Sequence, residues 1–234
     1  MNTRSLRLLA LASSLALVGC ATAQRKDISK LVAASPRAIL VVPVVNKSVD
    51  VDAGDYFLAT LPVPLAERGY YVFPVNVVKR MLEDDGLSDA NLVHGAEATR
   101  LCGLFGADAV MLVSIERWDA KYMIISTQVT VEFAYTLKDG KTGQTLWTDR
   151  EMMVYSPQSA NTGSGLGNLV AAMVDAAITK AAPNYMPLAR QANARALAYP
   201  GPGLPAGPYR PEHGSDIAPS PSDTPVATGS TSER

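Results

Sequence analysis

The hydrophobic pattern of the first half of the chain predicts strands that alternate with helices. Residues 38–45 (AILVVPVV) are an uninterrupted apolar run rich in β-branched side chains, which is typical of a strand buried on both faces. Pro43 has no backbone N–H to donate, so this strand should bulge or end there. A helix is predicted over about 53–67, with a break at Pro62 and Pro64 because proline interrupts a helix.

Shorter segments complete this half of the chain. Residues 70–73 predict a second strand, and the apolar run at 109–115 predicts the central strand of a sheet. Between them the pattern predicts two helices, at about 76–83 and 95–105. Each of these is followed by a glycine, which suits the left-handed end of a helix.

The second half of the chain begins with a clear strand pattern. Apolar and polar residues alternate over 128–137, as in a strand with one buried face, and the turn residues at 139–143 lead into a hairpin partner at 144–155. Helical spacing then predicts an amphipathic helix at 166–182 and a further helix at 184–198. Together these elements predict a single α/β domain with a mixed sheet flanked by helices.

The first twenty residues resemble a bacterial lipoprotein signal peptide. Arg4 and Arg7 precede an apolar run at 8–18 that is too short to span a bilayer, and Leu-Val-Gly-Cys at 17–20 resembles a lipobox. This resemblance implies a signal peptide at 1–19, cleavage before Cys20, acylation of Cys20 and a lipidated leash at 20–35. The alternative is an ordinary secretory signal in which the cysteine stands by chance.

Lipidation would decide where the protein works. Several acyl chains on Cys20 would anchor it stably, since each buried methylene contributes about 0.8 kcal/mol and one chain alone binds marginally. In lipoproteins of this kind an aspartate after the cysteine favours retention at the inner membrane. Ala21 therefore implies an outer-membrane anchor that faces the periplasm. No second hydrophobic run approaches the length of a membrane span.

Composition narrows the function classes. Removal of residues 1–19, which hold two arginines and no acid, leaves 19 basic and 22 acidic residues, a net charge of −3 that argues against nonspecific nucleic-acid binding. Besides Cys20 the sole cysteine is Cys102, which is expected to be buried, so no disulfide framework is predicted. Residues 199–234 hold eight of the sixteen prolines and few large apolar residues, and we expect a disordered tail.

Residues that could carry chemistry are sparse. His94 is the only histidine of the predicted domain, and no metal-binding or acyl-transfer motif accompanies it, so it is interpreted as a polar residue at a helix start. No catalytic residue, cofactor site or metal site is predicted. The remaining candidates are aromatic residues at strand ends, which serve either core packing or a partner surface: Tyr71, Trp118, Trp147 and Tyr155.

Four blocks of the sequence resemble one family. They are ILVVPVVNKSVDV at 39–51, PLAERGYYVFPV at 64–75, FGADAVMLVSI at 105–115 and the D-x-x-TG-x-x-LW hairpin at 139–147. With the lipobox, they are similar to bacterial lipoproteins of unknown function typified by a genome-derived neisserial antigen. The match runs from about residue 38 to 150 and leaves out the tail.

The resemblance implies a fold and a class of function. The fold would be similar to the N-terminal domain of TolB, which recurs in the envelope lipoproteins CsgG and LpoB. The function would be that of a non-enzymatic adaptor or assembly accessory of an envelope transport, secretion or cell-wall machine. Its partners would be other envelope proteins, such as a CsgG-like lipoprotein or a second copy of itself. Two alternatives stay open at this point: a periplasmic enzyme acting on cell-wall material, and a transport accessory that binds a small ligand.

Overall fold

A computed structural model describes residues 27–122, 127–155, 186–198 and 203–215. The signal peptide, Cys20 and the amphipathic helix predicted at 166–182 lie outside these residues, and so do the side chains of 120–128 and of Tyr155.

One mixed sheet organises the described part of the chain. Its strands are β1 (Ala38–Val41), β2 (Val45–Asn46), β3 (Tyr71–Val72), β4 (Ala109–Tyr122), β5 (Thr127–Asp139) and β6 (Thr145–Tyr155). Their order is β3-β1-β4-β5-β6, with β2 continuing beside β4. The first three strands run parallel to their neighbours, whereas β4, β5 and β6 form an antiparallel meander. The predicted α/β class and mixed sheet are confirmed.

Seven α-helices are described. They are α1 (Ser29–Ala34), α2 (Ala53–Leu58), α3 (Pro62–Glu67), α4 (Val75–Asp84), α5 (Ala90–Gly95), α6 (Ala98–Phe105) and α7 (Met186–Asn193), and a π-helical stretch at Ala194–Ala198 follows α7. The break predicted at Pro62 is confirmed, because it separates α2 from α3 and occupies the first turn of the latter. The end predicted at Pro43 is also confirmed, since it lies between β1 and β2.

The sheet has two cores. Its front face, defined by Ile39, Met111 and Phe133, packs against α1, α2, α3 and α7. Its back face, defined by Leu40 and Val110, packs against α4, α5 and α6. The alternation predicted for β5 is confirmed, because its odd-numbered residues from 129 to 137 are buried on the front face and its even-numbered ones are partly exposed on the back.

The tail predicted from residue 199 is wrong for residues 203–215. This segment, here called the strap, lies across the end of α3, and the side chain of Leu204 is fully buried in the front core. The hydroxyl of Tyr70 donates to the carbonyl of Pro205 at 2.9 Å, and the N–H of Gly207 donates to the carbonyl of Arg68 at 2.6 Å. One buried leucine and a set of backbone hydrogen bonds order a segment whose composition alone predicts disorder.

A close approach of two glycines makes room for the strap. A side chain at Gly207 would collide with the backbone of Gly69, which itself has a φ of +83°. The leash predicted at 20–35 is shorter than expected, because α1 occupies 29–34 and buries Leu31 in the front core. The described residues 27 and 28 precede this helix.

Candidate interaction surface at the edge of strand β3

Two of the four aromatic candidates for a partner surface are buried. Trp118 is 2% exposed and Trp147 is 3% exposed, and both belong to the front core. The register of the strands explains why both tryptophans are buried. Trp118 pairs with Val131 and Trp147 pairs with Leu137, and the side chains of Val131 and Leu137 point into the front core. The partner-surface interpretation of these tryptophans is therefore wrong. Tyr155 pairs with Val129 through its backbone, and its side chain lies outside the described set.

Tyr71, the remaining candidate, is 52% exposed and lies at the edge of the sheet. Its ring meets the ring of Phe73 edge-on, with centroids 5.1 Å apart and planes at 82°. Phe73 in turn contacts Phe105, with centroids 6.3 Å apart and planes at 64°. These three rings, here called the aromatic ladder, lead from solvent to the back core, where Phe73 and Phe105 pack against buried residues.

Local structure explains how the aromatic ladder forms. Strand β3 pairs only with β1 among the described strands, and Tyr71 stands opposite Ala38 in that pairing. Alternation along the chain directs Val72 to the front core, so Tyr71 and Phe73 share the back side. Phe105 is the last residue of α6, which ends at a glycine in the left-handed conformation.

The aromatic ladder has the features of a protein-binding surface. Edge-to-face ring pairs contribute roughly 0.5–1.5 kcal/mol beyond burial, so the ring of Tyr71 is held against that of Phe73. A tyrosine presented in this way offers apolar area with little conformational entropy to lose. The sequence pattern identified Tyr71 but missed Phe73 and Phe105 as its supports, and the one signal for Phe105 was its place at a predicted helix end.

The back face of the β5–β6 hairpin adds a charged surface. Arg150 donates to Glu132 at 2.6 Å, and Arg117 lies 4.0 Å from the other oxygen of that carboxylate. Beyond them Met152 and Val154 are about half exposed. Because the arginines are exposed, these ion pairs contribute little to stability. The back face of the hairpin is therefore partly charged and partly apolar.

His94 and Cys102 are both held in structural roles. His94 is half-buried, and its Nε2 lies 3.0 Å from the carbonyl of Pro43, so the ring joins α5 to the end of β1. Burial lowers the pKa of His94 despite that hydrogen bond. Burial, followed by the charges of Asp139 and Asp108, raises the pKa of the Cys102 thiol to about 11. The thiol is therefore protonated at neutral pH and a poor nucleophile.

No group of three or more potential metal-ligating side chains occurs within the described residues. Among the same residues, no helix combines the length and the hydrophobicity needed to cross a bilayer.

Comparison with known proteins identifies the family. A sequence model of the GNA1162-like lipoproteins matches residues 26–209, which is more than half of the chain. The chain belongs to the GNA1162-like lipoprotein family. The matched region ends at residue 209 and so includes the first part of the strap, whereas the sequence resemblance alone left out the tail.

Two further similarities agree with this assignment. A protein of Neisseria meningitidis serogroup B, named "Putative lipoprotein NMB1124/NMB1162", is 34% identical over 170 residues, which cover 72% of this chain and 79% of the relative. The crystal structure of lipoprotein GNA1162 from Neisseria meningitidis aligns with a TM-score of 0.52 at 34% identity, over 62% of this chain and 100% of that one. The fold of this GNA1162-like lipoprotein is thus the fold of its family.

A more distant solved structure is also similar. The C-terminal domain of LpoB from Salmonella enterica aligns at 21% identity and a TM-score of 0.38, over 54% of this chain and 91% of that one.

Proposed function

We propose that this GNA1162-like lipoprotein is a non-enzymatic adaptor that is anchored in the outer membrane by lipid on Cys20 and binds other envelope proteins from the periplasmic side. The observation that supports this most is the aromatic ladder, which presents a half-exposed tyrosine at the edge of the sheet. The resemblance described above makes a CsgG-like lipoprotein the partner to examine first.

Two structural facts favour recognition over catalysis. The thiol of Cys102 is buried and protonated, and the ring of His94 is engaged with a backbone carbonyl. A buried, protonated thiol is a poor nucleophile, and Nε2 of His94 is engaged with the carbonyl of Pro43, so surface recognition is the role best matched to the described residues.

The anchor is tested by Cys20→Ala. We expect the precursor to stay uncut at the lipoprotein site and to leave the outer-membrane fraction, because residue 20 no longer has a thiol to carry lipid. Density-gradient fractionation of envelopes and the mass of the recovered chain measure both effects. Cys102→Ala removes the other cysteine and is the matched control, which should fractionate like the wild type. Outer-membrane recovery of the Cys20 variant would contradict the anchor.

The adaptor surface is tested by Tyr71→Ala in the full lipidated chain. After mild crosslinking in intact envelopes, we expect recovery of the principal partner to fall roughly tenfold or more, as for the loss of an interfacial aromatic hot spot worth about 1.5–3 kcal/mol. Quantitative mass spectrometry of the purified complexes measures the recovery.

Tyr56→Ala is the matched control for this experiment. Tyr56 is 47% exposed on α2, away from the aromatic ladder, and its loss should leave recovery unchanged. If the wild type, Tyr71→Ala and Tyr56→Ala recovered the partner equally, the aromatic ladder would not be the partner surface. Recovery of the chain alone from several growth conditions would overturn the adaptor proposal itself.

A further inference from the structure

A polar cavity lies apart from the aromatic ladder, between α1 and the turn that joins β5 to β6. Its volume is about 400 Å³, which suits a small ligand. The polar residues that line it are Lys30, Asp108, Asp139, Lys141, Thr142 and Gln144. Neither the adaptor surface nor the family resemblance assigns a role to this cavity.

The carboxylate of Asp108 is fixed in the wall of the cavity through one oxygen only. Its Oδ2 accepts hydrogen bonds from the backbone N–H groups of Arg37 and Ala38, both at 2.9 Å. Its Oδ1 accepts no hydrogen bond from the described part of the chain. One oxygen of a rigidly held carboxylate is therefore available to a ligand.

Asp139 repeats this arrangement on the neighbouring strand. Its Oδ1 accepts from the N–H of Lys141 at 2.9 Å, and from the N–H and hydroxyl of Thr142 at 2.6 and 2.8 Å. Burial alone would raise the pKa of Asp139, but these hydrogen bonds hold it below its usual value, so the group is charged at neutral pH. Its Oδ2 likewise accepts no hydrogen bond from any described residue.

The two carboxylates are close neighbours. Asp139 pairs with Ala109 in the β4–β5 ladder, and the N–H of Gly140 donates to the carbonyl of Asp108 at 2.7 Å. Both negative charges act on the buried thiol of Cys102. Two adjacent anions with one free oxygen each favour a cation that can donate several hydrogen bonds, as a primary ammonium does.

The rest of the polar lining favours an anion. Lys30 and Lys141 are both exposed, and neither ammonium makes a hydrogen bond or a salt bridge with another described side chain, although the charge of Lys141 acts on Asp139 and that of Lys30 on Asp27. A simple cation would be repelled by these lysines, and a simple anion would be repelled by the carboxylates. A compact zwitterion meets both requirements.

The position of the cavity narrows the choice among zwitterions. Helix α1 begins at Ser29, nine residues after Cys20 (29 − 20 = 9), and nine extended residues span roughly 30 Å at most. With lipid on Cys20, the cavity is held within reach of a membrane surface. A zwitterion abundant at such a surface is a phosphate joined to a primary amine.

We propose that this cavity binds an ethanolamine phosphate group, with the ammonium on Asp108 and Asp139 and the phosphate on Lys30 and Lys141. The group could be supplied by a phospholipid head or by a soluble metabolite, which share this chemistry. The choice of ligand rests on the proposed lipid anchor at Cys20, but the proposal involves none of the residues of the aromatic ladder.

Calorimetry on the full lipidated chain in nonionic detergent tests the site, with O-phosphoethanolamine as the probe. We expect it to bind at least about tenfold more tightly than ethanolamine, inorganic phosphate or phosphocholine, because each of these lacks one set of charged hydrogen bonds. Hydrogen exchange should slow in peptides that cover 29–34 and 139–146. Equal affinity for inorganic phosphate, or no binding of any probe together with no protection on vesicles, would overturn the proposal.

Variants of the lining residues show whether the ligand binds in this cavity or is attracted by the charge of the protein in general. Asp108→Asn keeps an oxygen for the two backbone N–H groups and removes only the charge, and it should weaken binding about tenfold. Lys30→Gln with Lys141→Gln should do the same. The control is Lys47→Gln with Lys79→Gln, which removes the same number of positive charges from two lysines outside the cavity lining, each paired with a carboxylate. Equal binding by the cavity variants and the control would contradict the assignment.

Vesicles distinguish the two sources of the ligand. The lipidated chain is reconstituted into phosphatidylcholine vesicles with or without phosphatidylethanolamine, and hydrogen exchange is measured in the same two peptides. Protection that requires phosphatidylethanolamine would assign a lipid head group. Binding of soluble O-phosphoethanolamine without protection on such vesicles would assign a soluble ligand.

Discussion

A chain that ends after residue 202 should unfold at a markedly lower temperature than the full chain. It loses the strap, whose Leu204 is fully buried and whose backbone bonds to Arg68, Gly69 and Tyr70. Emptying a buried leucine site costs about 2–5 kcal/mol, and each lost hydrogen bond leaves a polar group to be rehydrated. We expect a loss of about 3–5 kcal/mol and a drop of roughly 6–15 °C in the midpoint, measured by circular dichroism.

Two further variants show whether the loss of stability comes from the strap itself. A chain that ends after residue 215 keeps every described contact of the strap and should unfold within about 2 °C of the full chain. Leu204→Ala in the full chain should lose about 2–4 kcal/mol of stability, close to the effect of the longer truncation. If the truncation at 202 left the midpoint unchanged, the strap would contribute no stability and its packing would be incidental.

Replacement of Asn193 by alanine should destabilise the domain by about 2–4 kcal/mol, because it breaks a fully buried hydrogen-bond chain. The hydroxyl of Tyr135 donates to Oδ1 of Asn193 at 2.8 Å, and Nδ2 of Asn193 donates to the hydroxyl of Thr60 at 2.7 Å. The hydroxyl of Thr60 then donates to the carbonyl of Phe57 at 2.6 Å. Urea unfolding of the full chain measures the loss.

Asn193→Ala is costly because it leaves buried polar groups without a hydrogen-bond partner. Asn193 is 0% exposed, so its removal strands the buried hydroxyl of Tyr135 without an acceptor and opens a small cavity between α7 and the sheet. Tyr135→Phe removes only the donor at one end and should cost less, about 1 kcal/mol. In the double variant the two losses should not add, since Tyr135→Phe has already removed the hydroxyl that Asn193→Ala would leave without an acceptor. Additive losses would contradict the coupling through Asn193.

Elements whose burial follows from local pattern were predictable. The period-two alternation at 128–137 specified β5 and its buried face, because a strand directs successive side chains to opposite sides. Pro43 and Pro62 marked the ends of β1 and α2, since proline removes a backbone donor. The pattern missed α5 (Ala90–Gly95), and it began the helix predicted at 95–105 too early, since α6 begins at Ala98.

The aromatic candidates show where local pattern stops being informative. Trp118 and Trp147 are near strand ends in the sequence, a position that equally suits a rim or a core. Their burial depends on which residues of the neighbouring strands stand opposite them, and that register is settled by pairing between distant segments. Phe73 and Phe105 meet only because β3 lies beside β1 while α6 packs behind the sheet.

The sequence by itself determined the α/β class, the hairpin, the proline breaks and the family, all of which depend on neighbours along the chain. Tertiary structure alone decided three things: the burial of the tryptophans, the aromatic ladder and the order in residues 203–215. Composition predicts disorder for a proline-rich segment because it counts how much apolar surface the segment could bury among its own residues. Leu204 instead completes the front core, whose members include Ile39 and Leu65, more than a hundred positions earlier, and this long-range packing supplies the burial that the segment lacks.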